Sequence, residues 1–105
     1  MTAWLSVDTD DLVHLPSNRG HPHRSSQQMP HWHTRDYRAS KRLLEATDRF
    51  IEWAQQGSPV TIFLIAEQLD CPEFTQRMNI LLSMPNTTFA CHGWSHRCWS
   101  AWPED

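Results

Sequence analysis

The apolar and polar positions of this chain change period several times. Trp4-Leu5-Ser6-Val7 is a short apolar run that stops at Asp8-Thr9-Asp10-Asp11, and it predicts a buried strand over 4–7. From 14 to 37, residues such as His14, Pro16, Asn18, Gly20, Pro22 and Pro30 leave no period. This stretch reads as a long loop, of a length that is commonly functional or disordered. Leu43, Leu44, Thr47, Phe50, Ile51 and Ala54 then recur at three- and four-residue steps, which predicts a helix over 40–56. Ser40 is its N-cap, and Gly57 stands where a helix end takes a left-handed residue.

Beyond Gly57-Ser58-Pro59, the segment Val60-Thr61-Ile62-Phe63-Leu64-Ile65 is β-branched, aromatic and nearly all apolar. That is the mark of a strand buried on both faces, predicted over 60–65. Asp70-Cys71-Pro72-Glu73 opens a second helix over 72–83, with Asp70 as cap and Pro72 in the first turn. Phe74, Met78, Leu81 and Leu82 form its apolar stripe. After the turn at Pro85-Asn86, Thr87-Thr88-Phe89-Ala90 is the third predicted strand.

Strand, helix, strand, helix, strand is the order of an α/β protein with parallel strands joined by right-handed crossovers. In such sheets functional groups gather beyond the C-terminal ends of the strands. The acids after the first strand and the histidines after the third are thereby placed on one rim.

Composition narrows the field. Nine Lys and Arg against twelve Asp and Glu leave a net charge of -3, and Lys41 is the only lysine. A nucleic-acid partner, which calls for a basic excess, is not expected. The longest apolar run, 60–66, is far shorter than the ~20 residues of a membrane span, so no membrane is expected either. The N-terminus lacks the charged and apolar regions of a secretory signal. Three cysteines make an odd count that argues against a disulfide scaffold. The expected location is the cytoplasm. Seven His and six Trp point instead toward metal ligands and toward flat surfaces for sugars or a core.

His92-Gly93-Trp94-Ser95-His96 sets two imidazoles four residues apart, able to grip one ion. Two histidines and a carboxylate are the ligands of an open catalytic zinc site, and a second carboxylate can serve as base toward its water. Trp94 and Trp99 are candidates for stacking on sugar rings. Trp4 and Trp53 are expected in the core.

With these motifs in place, the chain resembles the N-terminal half of the polysaccharide deacetylase family, the NodB-homology carbohydrate esterases. Leu5-Ser6-Val7-Asp8-Thr9-Asp10-Asp11 is similar to the family's first motif, in a form with one residue between the acids. The Gly57–Leu69 stretch resembles its second strand and exit. Cys91-His92-Gly93-Trp94-Ser95-His96 resembles its His-x-x-x-His motif. The resemblance covers nearly all of 1–105 apart from the 14–37 loop.

It implies a βαβαβ unit forming part of a (β/α) barrel, and a metal-dependent hydrolase that removes N-acetyl groups from a carbohydrate. Asp8 would be the catalytic base. Asp10, His92 and His96 would hold a divalent metal, most simply zinc, with Asp11 as the alternative ligand if the register shifts by one. Two other readings stand beside it: a non-catalytic metal-binding or interaction fragment, and hydrolysis of another C–N bond in a ureide or cyclic amide. The family's later motifs, one of them supplying the general acid, come after the second motif. The expectation is therefore an N-terminal portion without its C-terminal half, with an acetylated carbohydrate as substrate and a second chain as one means of completing the barrel.

Overall fold

The computed structural model describes residues 3–14 and 37–94. Strands β1 (Ser6–Asp8), β2 (Val60–Leu64) and β3 (Thr87–Cys91) alternate with helices α1 (Lys41–Ala54) and α2 (Pro72–Leu82). The sheet order is β1-β2-β3 and both pairings are parallel. This is an α/β unit with a small parallel sheet.

Register decides which residues share a face. Val7 pairs with Ile62, and Ile62 with Phe89. These three pack with Ile51, Ala54, Phe74, Met78 and Leu81 from the helices. Because side chains alternate along a strand, the next row, Asp8, Phe63 and Ala90, faces away from that core. Both helices therefore serve one face of the sheet.

Each helix is held by local chemistry. The Ser40 hydroxyl accepts the Leu43 N–H at 3.1 Å, as an N-cap should. Gly57 closes the other end of α1 at φ 95°, in the left-handed region open to glycine. The Thr47 hydroxyl, buried within α1, donates to the Leu43 carbonyl at 2.7 Å. Asn86 Nδ2 donates to the carbonyls of Ala54 and Ser58, both at 2.9 Å, tying the end of α1 to the start of β3. Across the helices, Arg77 Nε meets Asp48 Oδ1 at 2.7 Å. Among the described residues no helix is long and apolar enough to cross a membrane.

Several expectations are corrected. β1 begins at Ser6 rather than at residue 4, and Trp4 is 87 % exposed instead of lying in the core. The reason is the length of the ladder: the first rung runs from Thr61 N–H to the Leu5 carbonyl, so Trp4 precedes the paired region. Trp53 does join the core margin, stacked on Phe50 with ring centroids 5.5 Å apart. Asp70 does not cap α2. Residues Ala66–Asp70 form a 3₁₀ turn, and the extended Cys71 is the N-cap residue ahead of Pro72. The ends of the 14–37 stretch are structured, with His14 and Tyr37 each 3 % exposed. Residues 15–36 lie outside the described residues.

The centre of the sheet should be intolerant of lost volume. Ile62→Val, at 1 % exposure, should cost about 0.5–1.5 kcal/mol in urea unfolding. Leu82→Ala, on the exposed side of α2 at 65 %, should fall within about 0.5 kcal/mol of the parent chain.

Candidate metal centre

The C-terminal ends of β1 and β3 carry the chemistry. Asp8 is the last residue of β1, and Asp10 lies two beyond it on the same side of the chain. His92 directly follows β3, its N–H donating to the Leu64 carbonyl at 2.6 Å. One ligand atom each from Asp8, Asp10 and His92 falls within 4.8 Å of the others. His92 Nε2 lies 3.4 Å from Asp10 Oδ1 and 3.9 Å from Asp8 Oδ2. The side chain of Asp10 is 22 % exposed, that of His92 32 % and that of Asp8 57 %.

These separations exceed the 2.7–3.2 Å of a good N–H···O bond. They suit a shared cation: two ligand atoms each ~2.1 Å from a tetrahedral ion stand ~3.4 Å apart. Two carboxylates held together also repel, and a divalent ion between them turns that repulsion into attraction. The donor set thus fits a shared metal ion, with Asp10, His92 and Asp8 as the groups able to hold it. His96 and Trp99, the other predicted site residues at this end, lie outside the described residues. Trp94 is 61 % exposed on the same rim.

Asp11 is not brought to this cluster. One residue out of phase with Asp8 and Asp10, it turns to the opposite side, where four donors engage its carboxylate. Oδ1 accepts from Leu12 N at 2.7 Å and Ser40 Oγ at 2.6 Å, and Oδ2 from Tyr37 Oη at 2.6 Å and Ser40 N at 2.8 Å. Burial alone would raise its pKa, but the bonds from Ser40, Tyr37 and Leu12 outweigh it and hold the carboxyl below its ordinary value. Burial, and the hydrogen bond to Asp11, push the Tyr37 phenol well above its ordinary value, so it remains a donor. Asp11 therefore docks the start of α1 onto the end of β1.

A second set of polar residues was not singled out by sequence reasoning. The Asp11 N–H donates to His14 Nδ1 at 3.0 Å, which places the ring proton on Nε2, directed at Glu67 Oε1 2.7 Å away. Glu67 is 4 % exposed and Gln68 0 %. Gln68 Oε1 accepts the Ile65 N–H at 3.2 Å and the Thr9 hydroxyl, and Gln68 Nε2 donates to the Thr9 carbonyl. The available signal was a Gln three residues after Ile65 at the exit of an apolar strand, the spacing of half a capping box. The Ala66 and Glu67 N–H groups donate to the carbonyls of Gly93 and Trp94 at 2.9 and 2.8 Å. Gly93, at φ 81°, makes the left-handed bend that presents them.

No family model, no curated protein and no solved structure matches this chain.

The Asp11 bonds make stability sensitive to acid. A carboxyl whose native pKa lies below the ~3.9 of an unfolded chain contributes fully above that value. The contribution disappears as pH falls from there through the lower native pKa. Asp11→Asn should lower stability at pH 7 by about 1–3 kcal/mol. It should also flatten the loss of stability between about pH 5 and pH 2, read from urea midpoints across that range.

Proposed function

We propose that this chain carries the metal centre of a hydrolase that removes N-acetyl groups from a carbohydrate, in the manner of the polysaccharide deacetylases. The observation that carries the reading is the meeting of Asp8, Asp10 and His92 at the C-terminal rim of a parallel sheet, from positions more than eighty residues apart in the chain. The sequence order of the strands, the acid pair after the first and the histidine after the third agree with the resemblance described above. A parallel sheet with helices on one face is also the repeating portion of a (β/α) barrel.

Carboxylate and imidazole donors suit zinc. A bound zinc ion supplies Lewis acidity toward an amide carbonyl and acidifies a coordinated water. Asp10 and His92, the less exposed pair, are the holding groups, together with His96. Asp8, the most exposed of the three and 3.9 Å from His92 Nε2, takes the proton from the attacking water at its carboxylate. The exposed indole of Trp94 offers an apolar surface to a sugar ring.

Elemental analysis after dialysis against zinc should find a single bound ion per chain, and Asp10→Asn should weaken its binding at least about tenfold. Asp8→Asn should keep more of the zinc affinity than Asp10→Asn. It should lose about 10²–10⁴-fold of any amine release from N-acetylglucosamine oligomers. Zinc uptake without amine release would instead assign the chain as a metal-binding module. No uptake by the parent chain would overturn the reading.

A further inference from the structure

We propose that Gln68 is the positioning residue of this centre: through Thr9 it fixes the spacing of the two carboxylates, and its turn fixes the histidine strand against them. The inference rests on the metal-centre reading above. Thr9 is the residue between Asp8 and Asp10, and Gln68 grips it twice. The Thr9 hydroxyl donates to Gln68 Oε1, and Gln68 Nε2 donates to the Thr9 carbonyl. That carbonyl belongs to the peptide plane that leads into Asp10. Holding the plane at its oxygen while the Thr9 N–H donates to the Phe63 carbonyl at 3.3 Å sets the direction in which Asp10 leaves the strand.

The other half of the ligand set hangs from the same turn. Its Ala66 and Glu67 N–H groups hold the Gly93 and Trp94 carbonyls, immediately after His92. One 3₁₀ turn, Ala66–Asp70, thus binds the carboxylate segment through a side chain and the histidine segment through its backbone. Gln68 has no solvent exposure, so water cannot replace what a substitution removes. Its side chain bonds to Thr9 and to the Ile65 N–H, and it reaches the two carboxylates through Thr9. Outer groups that orient ligands typically carry 10–100-fold in metal affinity.

The test is zinc affinity by competition with a chromophoric chelator, with the visible spectrum of the cobalt(II)-loaded chain as a report on coordination geometry. Gln68→Met keeps the length of the side chain and removes both its donor and its acceptor. It should retain the far-UV circular dichroism of the parent, lose about 10–100-fold in zinc affinity, and shift the cobalt bands. Thr9→Val removes only the hydroxyl and should lose about threefold or more, whereas Thr9→Ser, which keeps it, should match the parent. If Gln68→Met does not fold, the Thr9 pair decides the matter. A folded Gln68→Met or Thr9→Val with affinity within about twofold of the parent, while Asp10→Asn binds weakly, overturns the positioning role alone. A parent chain that binds no zinc, or an Asp10→Asn variant that binds as the parent does, overturns the metal centre and this role with it.

Discussion

A glutamine amide with no access to water must find its hydrogen bonds inside the protein, and Gln68 finds them at the point where the sheet ends. The β1–β2 ladder stops near Phe63 and the β2–β3 ladder at Leu64. Beyond those rungs the strand pairing ends. The Ala66–Asp70 turn takes over that role. Its backbone serves the segment after β3, the Gln68 side chain serves the segment after β1, and Ile65 closes back on Gln68. The backbones beside the acid pair and beside His92 thus share this one anchor.

The two sides of the chain after β1 have different work. On one side Asp8 and Asp10 face His92. On the other, Asp11 is bonded by four donors and binds β1 to the N-terminus of α1, while His14 and Glu67 join the 3₁₀ turn at Leu12–His14 to the one at Ala66–Asp70. The alternation of side chains along an extended backbone separates a site from its scaffold within four consecutive residues. The apolar core lies under the same scaffold, where Ile51 and Ala54 of α1 and Phe74, Met78 and Leu81 of α2 cluster with Ile62 of the sheet. Tyr37 participates in both, buried beside His14 with ring centroids 5.5 Å apart and donating to Asp11.

Periodicity and local chemistry were enough for the element order, for the extents of both helices and β2 within about two residues, and for the parallel topology. The period-3.6 stripe of α1, the nearly all-apolar run of β2, Ser40 and Gly57 are local facts that need no knowledge of the rest of the chain. The candidate site was legible to the same extent: an acid pair and a histidine at strand ends are brought together by any parallel sheet built in this order. Four things were settled only by tertiary structure. Trp4 is exposed because the ladder starts after it, which depends on where β2 begins. Asp70 is not a cap because the turn that serves Thr9, Gly93 and Trp94 consumes it. Asp11 was the alternative ligand on sequence grounds, and its partners Tyr37 and Ser40 stand more than twenty-five residues away, where no local pattern records them. Gln68 is the extreme case. Its residue type and spacing are ordinary for a helix start, and only its burial against Thr9, fifty-nine residues earlier in the chain, makes it the support of the rim. Local propensity can be read from neighbours in sequence; the pairing of a buried polar group is decided by which distant groups the fold leaves beside it.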